Sequence, residues 1–241
     1  MFRDLVAKSR GCDNPKSILL SEVVKMAKTI DENSDKQVTS HSIPPAGFVF
    51  HESRCGSTLV ANSLAAVDPE KHRVYSESSP LIMAMKMVAG DDSEVAKNFI
   101  QNVVYIMGRT HDPKETRLFY KIQSIGTTYI RGLRQAFPKV PWIFVYRDPV
   151  QVMMSHMPTD TNRAVCLRSK SNPPPKLKKI ILDISNKVSG SLSNFEMCAA
   201  HLVSLSICLL LFIDLICLPL PFCILCNKLF YGTVISLPIY Y

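Results

Sequence analysis

The sequence predicts an α/β fold in which helices cover both faces of a mainly parallel sheet. Short apolar segments of strand character alternate along the chain with segments of helical periodicity, which is the order that βαβ units require. One segment, WIFVY at 142–146, is continuously apolar, as is typical of a strand buried on both faces. The 241 residues are 47% hydrophobic and 20% charged, which excludes a wholly disordered chain, a collagen and a coiled coil.

Residues 1–45 are predicted to form an N-terminal helix and a linker. A helix over 16–30 places on one face the apolar residues Leu19, Leu20, Val23, Val24, Ala27 and Ile30. Residues 31–45 are polar and end in Pro44-Pro45, which is typical of a linker. The first ten residues carry four charges and no apolar run follows them, so no signal peptide is expected.

Residues 46–175 are predicted to form the α/β domain. Its strands are expected at 47–51, 73–76, 118–122 and 142–146, and its helices at 57–66, 94–107, 127–137 and 149–157. Pro149 stands in the first turn of the last helix, where a missing N–H is tolerated. Beyond Met157 the alternation stops and no further βα unit is predicted, so the domain is expected to be incomplete.

Residues 176–241 form a tail of different composition, basic at first and then hydrophobic. The net charge of +8 is the sum of +9 in residues 1–187 and −1 in the remainder. The stretch 202–226 carries only one charge, Asp214, and is long enough to span a bilayer. Three interpretations remain open: a membrane anchor, a segment packed against the sheet, or an altered gene end without an evolved role. The protein is therefore expected to be cytoplasmic, or associated with a membrane through this hydrophobic segment.

The cysteines do not suggest a disulfide framework. Cys12, Cys55 and Cys166 are scattered through the basic part, which favours a reducing compartment. The pair Cys223 and Cys226 has the spacing of a redox or metal pair, but it lacks a second pair and a nearby His. No metal site is therefore expected.

The turn after the first predicted strand has the composition of an anion-binding loop. Small residues between a buried strand and a helix expose backbone N–H groups at the positive end of the helix dipole. Gly56 permits a tight turn, Ser57 and Thr58 add hydroxyl groups, and Arg54 adds a positive charge. The alternative is an ordinary capped helix with Ser57 as the N-cap. A nucleoside triphosphatase loop is excluded, because Ser57 stands where that motif requires Lys.

A second anion site is predicted where the fourth strand ends. Arg147 stands at the carboxyl end of this strand, the edge at which ligands bind to open parallel sheets. Ser155 follows eight residues later and can flank the same crevice. An Arg with a hydroxyl group suits a terminal phosphate, although a structural pair between Arg147 and Asp148 is the plainer alternative.

Taken together, these motifs resemble the sulfotransferase superfamily over residues 46–157. The resemblance rests on R-x-G-S-T after the first strand, on a later strand ending in R-D with a Ser eight positions beyond the Arg, and on the stretches HRVYSESSP and FYKIQSIGT. It implies a three-layer α/β fold related to P-loop kinases, and 3′-phosphoadenosine 5′-phosphosulfate as the sulfuryl donor. The basic charge is then explained by a nucleotide and an acceptor of unknown identity, not by nucleic acid.

The resemblance also implies roles for individual residues. The 5′-phosphosulfate would be held by Arg54, Cys55, Gly56, Ser57 and Thr58, and the 3′-phosphate by Arg147 and Ser155. Arg54 would also stabilise charge on the leaving phosphate.

The general base is predicted to be Glu77, just past the second strand, although Glu77 could equally cap the next helix. His51, Glu52 and His156 are weaker candidates for the base. Lys121 is expected to face the same crevice.

The sequence shows no clear counterpart of one segment that the resemblance leads us to expect. Members of this family usually supply a C-terminal segment that closes over the adenine and the 3′-phosphate. Residues 162–175 could begin such a segment, with Arg168 as a phosphate contact, but the composition changes after Pro175. Two alternative functions therefore stay open: a small-molecule kinase on the same type of sheet, and a non-catalytic, membrane-attached sulfotransferase remnant.

Overall fold

The computed structural model describes residues 17–32, 40–156, 165–168, 172–173, 175–188, 192–217 and 232–236. Its strands are β1 (His41–Ser42), β2 (Pro45–His51), β3 (His72–Ser76), β4 (Arg109–Thr110), β5 (Arg117–Lys121), β6 (Trp142–Tyr146) and β7 (Gly232–Ser236). Its helices are α1 (Leu20–Glu32), α2 (Ser57–Val67), α3 (Ser79–Met87), α4 (Glu94–Met107), α5 (Ile130–Ala136), α6 (Pro149–His156), α7 (Val165–Arg168), α8 (Pro175–Val188) and α9 (Asn194–Cys217). A 3₁₀ helix at Ser124–Tyr129 precedes α5.

The central sheet is parallel, and its strands lie in the order β3-β5-β2-β6-β7. The α/β class with a parallel sheet flanked by helices is thereby confirmed. The chain runs outward from β2 to β3, returns to β5 beside β2, and then crosses to β6 on the other side of β2. Such a reversal opens a crevice at the carboxyl ends of the strands, where ligands bind in sheets of this kind.

Strand β2 is buried on both faces. Phe48 and Phe50 belong to the large cluster on one face, together with Tyr120 of β5. Val49, between them, packs on the opposite face with Val145 of β6. Successive side chains of a strand point to opposite faces, so this double burial requires an unbroken apolar sequence, the same pattern that predicted a buried parallel strand at 142–146.

The element boundaries follow the predictions closely in the domain, but several features of the chain differ, among them the antiparallel pair of β1 and β4, which was not expected. The helix predicted at 127–137 begins as the 3₁₀ helix, in which Gly126 lies so close to Ile82 and Ile122 that a Cβ there would overlap both side chains. Helix α3 was not expected. Only Val24 and Ala27 of α1 are buried, whereas Leu19 and Ile30 of the predicted apolar face are exposed.

The prediction that no βα unit follows Met157 is wrong. Strand β7 pairs in parallel with β6 over its whole length, and α9 lies between them in the chain. The first part of α9 packs against the domain through buried residues that include Leu202 and Leu205. Within the described ranges, no helix is both long and apolar enough to cross a membrane.

The expectation of scattered, unpaired thiols is wrong for Cys166 of α7, because a disulfide joins it to Cys198 of α9. Both lie in an apolar cluster with Val152 and Met153 of α6. This linkage explains how the start of the tail is fixed to the domain. Cys12, Met157, Cys223 and Cys226, the side chains of Arg168 and Asp214, and the last part of the stretch 202–226, from residue 218 onward, lie outside the described residues.

Candidate functional site

The loop between β2 and α2, called the anion loop below after its predicted role, turns tightly into the helix. Arg54 and Gly56 both adopt left-handed conformations, with φ of 62° and 89°. Gly56, not Ser57, is the N-cap of α2, and no side chain caps the helix. The alternative of a helix capped by Ser57 is therefore wrong, and the first-turn N–H groups have no capping side chain to satisfy them.

Cys55 and Ser57 contribute to this loop mainly through the backbone. The Cys55 side chain is fully buried and its thiol donates to the Glu52 carbonyl at 2.9 Å. Burial raises the pKa of this thiol, so it stays protonated at neutral pH and is a poor nucleophile. Ser57 is also buried, whereas Arg54 and Thr58 are exposed beside the loop.

The second predicted anion site lies next to the first. Arg147 is 4% exposed, and its Nε donates to Gln151 Oε1 at 2.7 Å. Ser155, one turn further along α6, accepts a hydrogen bond from Arg54 Nε at 3.4 Å. The two predicted anion sites therefore meet at helix α6. Its Ser155 is bonded to Arg54, and its Gln151 supports Arg147.

Glu77 lies across the crevice at the end of β3 and is not a helix cap. Its carboxylate pairs with Lys121 Nζ, and its Oε1 lies 3.6 Å from His51 Nε2. Helix α3 starts two residues later with Ser78 as its N-cap. The Glu77 backbone is left-handed at φ 57°, and hydrogen bonds to Lys121 O and from Gln123 Nε2 hold it there. Non-glycine residues in this conformation store strain of about 1–3 kcal/mol and cluster at functional sites.

His51 is a neutral imidazole beside this ion pair. Its Nδ1 lies 2.6 Å from the Glu52 carbonyl oxygen, which can only accept, so Nδ1 carries the proton. Burial, reinforced by the Lys121 charge, lowers the pKa of His51 to about 4. At neutral pH Nε2 is therefore the unprotonated nitrogen, and it faces Glu77.

Two of the weaker base candidates lie away from the crevice. Glu52 is buried and accepts a hydrogen bond of 2.8 Å from Ser206 of α9. Burial raises the pKa of its carboxyl, an effect that Ser206 and the Arg147 backbone N–H partly oppose. His156 is half-buried, and burial together with the Arg54 charge lowers its pKa. Glu52 therefore ties the tail to the anion loop and does not face a ligand.

A single cavity of about 870 Å³ collects the predicted residues. Its lining includes Arg54, Cys55, Gly56, Ser57, Thr58, Glu77, Lys121, Arg147 and Ser155, all of which the sequence singled out. Its other lining residues include Lys86, Gln123, Tyr129 and Asn172, which sequence reasoning missed. Among the described lining residues four side chains are cationic and Glu77 is the only carboxylate, so this part of the cavity wall suits an anionic ligand.

The missed residues carry no motif. Lys86 is one charge in an otherwise apolar helix, and Gln123 follows a strand whose exact end was predicted one residue too late. Asn172 and Pro173 belong to the stretch 162–175 that was considered as a closing segment, and they do line the cavity. In the part of the chain that the structure describes, no group of three His, Cys, Asp or Glu side chains is arranged to hold a metal ion.

Comparisons with known proteins add no relative. A scan against protein-family models finds no match to this chain, and a search of curated proteins finds none either.

Proposed function

We propose that this chain is a sulfotransferase of the three-layer, P-loop-related type, which uses 3′-phosphoadenosine 5′-phosphosulfate as donor. The observation that carries the proposal is the convergence of Arg54, Arg147 and Glu77 on one cavity. A donor with phosphate groups at both ends of its ribose needs two separate cationic sites, and the loops after β2 and β6 supply them. The resemblance of the motifs to the sulfotransferase superfamily supports the same assignment.

In the proposed reaction an acceptor hydroxyl attacks the donor sulfur. An oxygen–sulfur bond forms, the bond from sulfur to the bridging oxygen breaks, and 3′-phosphoadenosine 5′-phosphate leaves with the electron pair. Arg54 and the N–H groups at the start of α2 stabilise the charge that develops on that oxygen. The Glu77 carboxylate takes the acceptor proton, while Lys121 and Gln123 fix its position.

The disulfide and the contacts of α9 bear on the remnant hypothesis. The segment that begins with Asn172 lines the cavity, and α9 is joined to α7 through Cys166 and Cys198. These contacts favour a domain whose C-terminal segment reaches the cavity over a domain that was left unfinished.

Calorimetric titration of the full chain with 3′-phosphoadenosine 5′-phosphate, the reaction product, tests the proposal. We expect binding without Mg²⁺, since two arginines and backbone N–H groups neutralise the phosphates. Lack of heat at high micromolar nucleotide would count against the sulfotransferase and favour the remnant. Tighter binding of ATP that depends on Mg²⁺ would instead indicate the kinase.

A further inference from the structure

The strand order divides the cavity into two halves. The anion loop and Arg147 follow β2 and β6, which are neighbours on one side of the sheet. Glu77 follows β3 and Lys121 ends β5, which are neighbours on the other side. If the donor occupies the half between β2 and β6, the acceptor must approach over the half between β3 and β5, where Glu77 can reach its proton.

The half between β3 and β5 is polar and positively charged. Its remaining lining residues come from α3 and from the segment after β5: Lys86, Gln123, Ser124, Ile125 and Tyr129. Only Ile125 in this set is aliphatic. Pockets that take phenols, steroids or lipid chains are walled mainly by apolar side chains, so this half does not suit such acceptors.

Lys86 gives this half a charge that no acidic group balances. It is exposed in the last turn of α3, and within the described residues no carboxylate forms an ion pair with it. The charge of Lys121, by contrast, is already neutralised by Glu77. An acceptor that carries its own anionic group beside the reacting hydroxyl would therefore gain a contact with Lys86, and the amide of Gln123 and the phenol of Tyr129 would serve its other hydroxyls.

We propose that the acceptor is an acidic saccharide, one that carries a carboxylate or sulfate group next to the hydroxyl that is modified. This inference rests on the proposed function, because it assigns the donor to the other half of the cavity. It makes Lys86 a specificity-determining residue. A hydroxyl-rich sugar ring with one negative charge matches the unpaired cation Lys86, the hydrogen-bonding groups and the scarcity of apolar wall among the described lining residues.

The test measures binding of the acceptor alone to the full chain. The probe is a hexasaccharide of alternating glucuronic acid and N-acetylglucosamine, compared with an uncharged glucose hexasaccharide, 2-naphthol and an acidic tyrosine-containing peptide. We expect the acidic hexasaccharide to bind at least about ten-fold tighter than the other three, and its binding to weaken as salt is raised. Tighter binding of naphthol, of the peptide or of the uncharged sugar overturns the assignment.

Variants at Lys86 test the residue. Lys86→Ala should weaken binding of the acidic hexasaccharide about ten-fold, Lys86→Arg should restore it, and the affinity for 3′-phosphoadenosine 5′-phosphate should not change. Lys139→Ala removes an exposed lysine outside the cavity and should leave both affinities as they are. Unchanged sugar binding in Lys86→Ala overturns the role of Lys86.

The nucleotide titration separates the two proposals. Nucleotide binding without sugar binding rejects the acceptor class only. Sugar binding without nucleotide binding rejects the sulfotransferase and leaves an acidic-saccharide site.

Discussion

Arg54 Nε donates a hydrogen bond of 3.4 Å to Ser155 Oγ and so joins the loop after β2 to helix α6, across a separation of 101 residues in the chain. Ser155 in turn donates to Val152 O at 2.8 Å, and Val152 is fully buried against the disulfide cluster. Ser155 of α6 thus supports the anion loop, while Val152 and Met153 of the same helix pack on the start of the tail. The position of Arg54 therefore depends on packing that reaches as far as α9.

The ion pair between Glu77 and Lys121 should be asymmetric in its effect on stability. Lys121 is 3% exposed whereas the Glu77 side chain is 45% exposed. Glu77→Gln leaves a buried ammonium without its counter-ion and should lower the free energy of unfolding by about 2–3 kcal/mol. Lys121→Met leaves a carboxylate that water can reach and should lower it by less, about 1 kcal/mol. Urea denaturation of both variants measures the two losses in free energy of unfolding. An equal loss, or a larger loss in Lys121→Met, would contradict this account of the pair.

The buried His201 should make the protein sensitive to acid. Both its ring nitrogens lack a hydrogen-bond partner among the described residues, and burial, with a smaller contribution from His156, lowers its pKa to about 4. The unfolded chain binds a proton near pH 6.5 that the folded chain takes up only near pH 4, so stability falls as the pH drops through this window. His201→Leu should flatten that fall between about pH 6.5 and pH 4. Denaturation curves of the wild-type protein and of His201→Leu at several pH values measure this difference. If the free energy of unfolding falls equally with pH in both proteins, His201 is not responsible.

The disulfide should contribute stability through the unfolded chain. Cys166 and Cys198 are 32 positions apart, and a closed loop of that length corresponds to roughly 3–4 kcal/mol. Replacement of both cysteines by alanine should lower the free energy of unfolding by about that amount, and a reducing agent should then have no further effect. Thermal denaturation with and without dithiothreitol provides the measurement. A wild-type protein whose melting temperature is indifferent to dithiothreitol would mean that the linkage does not form.

The strands and the anion loop could be predicted because their signals are local. β6 and α4 have the predicted bounds, since each is a clear periodic or continuous apolar segment with turn residues at its ends. Helix α3 was missed because SPLIMAMKM is apolar on nearly every face and has no helical period. The apolar run that contains β7 is likewise ambiguous between a strand and a buried helix.

The contacts that complete the site depend on tertiary structure. The pairing of Cys166 with Cys198 cannot be read from spacing, since nothing local connects α7 with α9. The bond between Glu77 and Lys121 depends on the register of β3 against β5, where Ser76 lies opposite Lys121. The sequence therefore indicated side chains that line one cavity, but not which of them neutralise one another.

The most direct measurement compares two nucleotides on three arginine variants. Arg54→Ala, Arg147→Ala and the exposed control Arg117→Ala are each titrated with 3′-phosphoadenosine 5′-phosphate and with adenosine 5′-phosphate, which lacks the 3′-phosphate. Loss of a charged hydrogen bond to phosphate is worth about 1.5–3 kcal/mol, or roughly ten-fold to a hundred-fold in affinity.

Arg54→Ala should weaken both nucleotides, because both carry the 5′-phosphate that the loop after β2 binds. Arg147→Ala should weaken only the one with the 3′-phosphate, and Arg117→Ala should weaken neither. If Arg54→Ala and Arg147→Ala bind 3′-phosphoadenosine 5′-phosphate as well as Arg117→Ala does, the two arginines do not hold the two ends of one nucleotide, and the sulfotransferase assignment is contradicted.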